Sequence, residues 1–393
     1  MTKLHHNLYI KSLSIYFMAL ILGAINIGPI GSLLKILGFV PILICLLENR
    51  GRYVVNKLVI GACVFLSWTM FSALWSIEGT DSFIRGLTQL SFFLMLLSAS
   101  SYKYDIDEIN YLRKALIWSS RLSAIVTFLF AVSLQGRLWL NGIINEDPNY
   151  LCNYFAFGVV NCIIVLCSKN DRLKHKCISF IELMLYLYIV MATGSRGGAL
   201  AISVMILVEY FCINKNRKLS LNSLALKMLL LFFFTIGLNF ITDFMAEDIL
   251  NRFSMSSIAS SGGTGRYQIW EDTLNAYADA DVFRQFFGFG TGTAKTIASM
   301  FHFTYVNVIH NIYLENLIEV GLIGFVFYVI YIFRYWNFTR KADYYSFAII
   351  TGLMVMSMST SMAAFKPYWN ILLYATCISR LQSSKERVVK CND

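Results

Sequence analysis

The sequence predicts an all-α polytopic membrane protein, with about twelve transmembrane helices and one large external loop that contains short amphipathic helices. Three observations predict it. Of the 393 residues, 57% are hydrophobic and only 14% charged, where soluble domains carry about 25% charge. A globule of this size has too much surface to hide so many apolar side chains, and lipid removes that difficulty. The apolar residues also fall in runs of membrane-spanning length, and basic residues gather in alternate connections.

A helix needs about 20 mostly apolar residues to cross the hydrocarbon. Such runs occur at 11–28, 30–47, 56–75, 83–100, 114–134, 149–167, 177–193, 198–213, 223–242, 309–333, 344–362 and 368–382. Backbone amides in lipid must be satisfied within the segment, so these runs are expected as helices. The segment Met1–His6 precedes a long apolar run with no small-residue cleavage pattern, so the first run is expected as a retained span. With the N-terminus in the cytoplasm, 23 of the 33 Lys and Arg fall on the cytoplasmic side and 8 on the other, with Lys35 and Arg121 inside spans. This asymmetry puts both termini in the cytoplasm. It also accounts for the net charge of +10 as a result of orientation, not of nucleic-acid binding. The organisation expected is residues 1–242 as spans one to nine, 243–308 as the external loop, and 309–393 as the last three spans with a cytoplasmic tail.

The loop is too polar to span and too long for a simple connection. Within it, Ile269, Trp270, Leu274 and Tyr277 share one face of a helix that Ser261 or Thr264 could cap, and a second short helix is expected near 293–303. The nine cysteines include no CxxC pair and none lies in the loop, so neither a disulfide framework nor a zinc site is expected.

Ionisable residues near membrane depth each need a reason. Arg85, Arg137, Asp147, Arg196, Arg266, Arg284, His310, Glu315, Glu319 and Lys366 all fall toward the external ends of spans. Arg196 stands at a tight Thr193-Gly-Ser-Arg-Gly-Gly turn between two spans, where its planar fork suits phosphate oxygens and glycines admit a close neighbour. The simpler account is an arginine reaching to the interface. Arg266 begins the amphipathic helix of the loop, and Tyr267 and Trp270 beside it could stack on sugars or pack on a neighbouring surface. His310 opens the long tenth span, as a base matched to neutral pH or as an interfacial residue. Glu315 and Glu319 follow at helical spacing, and the second must be paired. Asp147 and Pro148 suit a helix start, which alone explains the aspartate. Gly288, Gly290 and Gly292 follow no strand, which excludes a nucleotide loop.

Taken in order, Asp147-Pro148-Asn149, Gly194-Ser195-Arg196-Gly197-Gly198, Thr264-Gly265-Arg266 with Trp270, Gly288-Phe-Gly-Thr-Gly292, and His310-Asn311 with Leu314, Glu319, Gly321 and Gly324 resemble the O-antigen ligase and O-antigen polymerase superfamily. The resemblance covers roughly residues 140–330. It implies a bacterial inner-membrane glycosyltransferase that acts on the periplasmic face on glycans carried by undecaprenyl diphosphate, with no cofactor and no metal. Arg196 and Arg266 match the arginines that hold the donor diphosphate, and His310 the residue that activates the acceptor hydroxyl. Arg137, Asp147, Asn149, Tyr267, Trp270, Arg284, Asn311, Glu315 and Glu319 are the further residues expected around substrate. Partners implied are the lipid-linked oligosaccharide, membrane lipids, a chain-length regulator and a flippase. The Thr-Gly-Arg-Tyr-Gln-Ile-Trp form favours a polymerase, which extends a lipid-linked chain by inverting transfer, over a ligase, which passes the chain to lipid A–core. A lipid-linked oligosaccharide flippase is the alternative of another class. It predicts two-half symmetry and midplane charges, whereas these charges cluster toward one face.

Overall fold

The computed structural model describes residues 7–25, 32–48, 52–134, 136–214, 266–304 and 308–381. The ninth expected span (223–242) and the loop up to Gly265 lie outside the described residues. The described chain runs α1 (Leu8–Met18), α2 (Leu33–Glu48), α3 (Lys57–Phe71), α4 (Gly79–Ser101), α5 (Ile106–Phe130), β1 (Ala131–Leu134), β2 (Arg137–Leu140), α6 (Pro148–Leu151), α7 (Ala156–Cys167), α8 (Leu173–Ala192) and α9 (Arg196–Asn214). After the gap come α10 (Arg266–Asp279), α11 (Val282–Phe287), α12 (Ala294–Met300), α13 (Ile312–Ala342), α14 (Tyr344–Met356) and α15 (Lys366–Ser379).

Among the described residues, six helical stretches are long and apolar enough to cross a membrane: Lys57–Leu74, Gly79–Ser101, Pro148–Cys167, Leu173–Ala192, Arg196–Asn214 and Ile312–Ala342. The membrane character therefore stands, and these six do not by themselves confirm the count of twelve, of which the ninth lies outside the described residues. Several expected spans come out as shorter helices for local reasons. The first tightens into a 3₁₀ turn over Ala19–Ala24. The second has 16 residues with Pro41 inside it. Helices α14 and α15 have 13 and 14 residues.

Local chemistry fixes the ends. Asp105 and Glu108 form a reciprocal cap on α5, with Glu108 N donating to Asp105 Oδ1 at 2.7 Å and Asp105 N to Glu108 Oε2 at 3.0 Å. The expectation of an all-α chain needs one correction. Helix α5 stops at Phe130, and Ala131–Leu134 pairs antiparallel with Arg137–Leu140, so that Leu134 lies opposite Arg137. Gly136, at φ 68°, supplies the positive φ that so short a hairpin turn requires.

The long helix α13 is broken at Gly321, where φ is 70°. The break frees three carbonyls, and the chain spends all of them. Phe289 N donates to Ile318 O at 3.1 Å, Gly290 N to Glu319 O at 2.8 Å, and Trp68 Nε1 to Val320 O at 2.9 Å. A side chain at Gly288 or Gly321 would run into the opposite backbone, so glycine is required at this crossing. The rings of Trp68, Trp75 and Phe287 pack around it. Phe289, Ile297, Phe303, Ile309 and Ile318 form a small apolar cluster that seats α10–α12 on α13. Two amphipathic helices were expected in this segment. The third, α11, starts where Asp281 Oδ1 accepts from Arg284 N at 3.0 Å.

Candidate active site

Asp147 caps α6: its Oδ1 accepts from the backbone N and the side-chain Nδ2 of Asn149, each at 2.7 Å. Asn149 Oδ1 in turn accepts from Arg137 Nη2 at 3.1 Å. The same guanidinium donates through Nε to the carbonyl of Thr193 at 2.8 Å. Arg137 therefore ties the start of α6 to the turn that launches α9. Gly194 takes φ 60° in that turn, and Gly198 N donates to Ser195 Oγ at 3.2 Å. Side chains at Gly197 and Gly198 would collide with Ser359 and Cys152. The close approach that these glycines allow is thus made by the protein's own chain. Arg196, partly buried, is the first residue of α9. The start of α13 rests on the same neighbourhood, because Ile312 N donates to Ser357 O at 3.0 Å, two residues before Ser359.

His310 immediately precedes the cap of α13. Its backbone is left-handed, with φ 55°. That conformation is uncommon outside glycine, and residues held in it cluster at functional sites. Its Nδ1 is buried without a hydrogen-bond partner. Burial, reinforced by the nearby charge of Arg266, holds the imidazole below its usual range, while Asp147 opposes the shift. His310 thus feels the charges of Arg266 and Asp147, two expected site residues that stand on two other elements. Trp270 Nε1 donates to Ile309 O at 3.2 Å, which fixes α10 against the residue before His310. Tyr267 is largely exposed, edge-on to Trp270 with ring centroids 5.7 Å apart.

Other expected residues turn toward the protein itself. Asn311 Oδ1 caps α13, accepting from Tyr313 N at 3.0 Å and Leu314 N at 3.3 Å. Glu319 accepts from Gly292 N at 2.8 Å and Ala294 N at 3.0 Å, which holds the glycine turn and starts α12. Arg284 Nη1 donates to Trp75 O at 2.7 Å, locking α11 to the segment after α3. Glu315 pairs with Arg85 at 3.5 Å.

A cavity of about 420 Å³ opens beside Arg85, Gln89, Glu146, Tyr150, Val308 and Lys366. Val308 lies two residues before His310 and Glu146 one before Asp147, so the cavity reaches both strands of chain that lead to the cluster. Glu146 and Tyr150 had no separate signal in the sequence. Arg85 and Lys366 did, as charges at span ends.

Residues 181–329 match the family model described as O-antigen ligase. A search of curated proteins gave no match. The matched segment runs from within α8 to within α13 and contains Arg196, Arg266, His310 and the glycine turn, whereas Arg137 and Asp147 precede it. Over those residues, somewhat more than a third of the chain, the protein is similar to the O-antigen ligase family, and the match does not distinguish a ligase from a polymerase.

Proposed function

We propose that the chain is an O-antigen polymerase of the bacterial inner membrane, moving a glycan from undecaprenyl diphosphate to a sugar hydroxyl of a second lipid-linked repeat unit on the periplasmic face. The observation that carries this reading is His310, set in a left-handed backbone and within the electrostatic reach of Arg266 and Asp147. A lowered proton affinity keeps the imidazole neutral near pH 7, ready to accept a proton.

In the proposed step the acceptor oxygen attacks the anomeric carbon of the donor. The new C–O bond forms as the bond from that carbon to the phosphate oxygen breaks. The hydroxyl proton passes to His310, and the diphosphate leaves with the bonding electron pair. Arg196 and Arg266 offset the charge that develops on it. Direct displacement inverts the anomeric configuration. The step routes no charge through a metal, because the guanidinium groups supply the electrostatic stabilisation. Arg137, Asp147 and Asn149 hold the helix starts in register. Tyr267 and Trp270 offer ring faces to the glycan.

A ligase is the second reading, favoured by the description of the matched family. Deletion of the gene separates the two. Loss of a polymerase leaves lipid A–core capped with a single repeat unit. Loss of a ligase leaves bare core and accumulated lipid-linked polymer.

A further inference from the structure

The cavity at Arg85 continues into a second of about 320 Å³, and the two share Thr88, Glu146, Ala364 and Lys366. The second cavity lies against α1, α2 and α4. One end of it is cationic. Lys35, in the first turn of α2, donates through Nζ to Thr88 Oγ1 at 2.8 Å. Lys366, the first residue of α15, lays its methylenes over Gly23, where any side chain would crowd them. The two ammonium groups are close enough to repel one another. The acid facing them is Glu146. Its Oε2 accepts from Tyr154 OH at 2.6 Å, burial pushes its carboxyl up, and it attracts Lys366, which makes one acid for two lysines. Ser32, Gln89 and Ser361 also line the two cavities, and the serine hydroxyls and the Gln89 Oε1 are buried without a partner. The rest of the second cavity is apolar, walled by Tyr16, Phe39, Ile42, Phe92 and Met95.

Two lysines facing one acid leave a positive charge that calls for an anion. An apolar wall continuing from them calls for hydrocarbon. We propose that Lys35 and Lys366 form a second anion subsite, which holds the phosphate of a lipid whose chain runs between α2 and α4 past Phe39, Ile42 and Met95. This rests on the reading of the protein as joining two membrane-held substrates. The His310 cluster serves one lipid phosphate and the lysine pair the other, and the shared cavity lets the glycans meet.

The test is the number of undecaprenyl diphosphate molecules bound to the purified full-length protein in detergent, read by native mass spectrometry. Wild type is expected to hold two, and the Lys35→Ala/Lys366→Ala double variant one. The Lys35→Arg/Lys366→Arg variant keeps the charge and is expected to hold two, which separates lost charge from a damaged fold. Unchanged uptake of two by the alanine variant would overturn the subsite. Displacement of the lysine-dependent lipid by inorganic pyrophosphate at equal concentration would show a free-anion site and overturn the lipid assignment. If wild type fails to transfer glycan, the enzymatic reading falls, and the binding count still judges the lysine subsite.

Discussion

Replacing Glu319 by alanine orphans the buried amide of Ala294 and the part-buried amide of Gly292 at once. Only 3% of the residue is exposed, and its two oxygens accept from Gly292 N at 2.8 Å and Ala294 N at 3.0 Å. A buried donor left without an acceptor costs about 1–3 kcal/mol and a part-buried one less, so Glu319→Ala should destabilise the protein by about 1–4 kcal/mol. Glu319→Gln keeps one acceptor oxygen and turns an NH₂ toward the other amide, so it should lose about half as much. Reversible unfolding in mixed detergent micelles measures both. Hydrogen exchange should show faster opening at Gly292 and Ala294 in the alanine variant. Stability of Glu319→Ala within about 0.5 kcal/mol of wild type would refute the positioning role, since that is the range of an ordinary surface change.

Other predictions follow from the same contacts. Arg137→Ala breaks the links to Thr193 and Asn149 and should cost about 1–3 kcal/mol in unfolding, with a loss of transfer that Arg137→Lys does not restore, because Lys lacks the fork. Trp270→Phe removes one bond to Ile309 and should cost about 0.5–1.5 kcal/mol, measured in the same way. The acid limb of the pH–rate profile should lie below about pH 6.5, the ordinary imidazole value, because His310 resists protonation. Asp147→Asn removes the charge that opposes this shift and should move the limb lower still. The sign for stability is set by the unfolded chain, which takes up the proton first as pH falls. The contribution of His310 is therefore fully present above about pH 6.5 and is lost as pH drops toward the folded value. Unfolding of wild type and His310→Gln across that window reads the difference.

Part of this molecule was legible in its sequence for identifiable reasons. Membrane helices announce themselves because lipid forces both composition and backbone pairing, and the capping roles of Asp147 and Pro148 follow from residue type and position alone. The 3₁₀ tightening after Met18 and the hairpin after Phe130 were not visible, because a hydropathy window averages over a change of backbone geometry. Glu319 was expected to be paired, and it is, but with amides 27 and 25 residues earlier that only the Gly288–Gly321 crossing brings near. Arg137 reaches Thr193 across 56 residues, a contact no local pattern encodes. The clustering of Asp147, Arg266 and His310 depends on three helix starts meeting at one end of the bundle. The sequence could list those starts but could not bring them together.

The most direct test of the central claim is glycan transfer by the purified protein in lipid vesicles, supplied with undecaprenyl-diphosphate-linked repeat units and analysed by chain length. The account predicts elongated lipid-linked chains and free undecaprenyl diphosphate with wild type, and neither with His310→Ala, Arg196→Ala or Arg266→Ala variants that remain folded and membrane-inserted. Full-length chains made by all three variants, or none made by wild type with its own repeat unit, would contradict it.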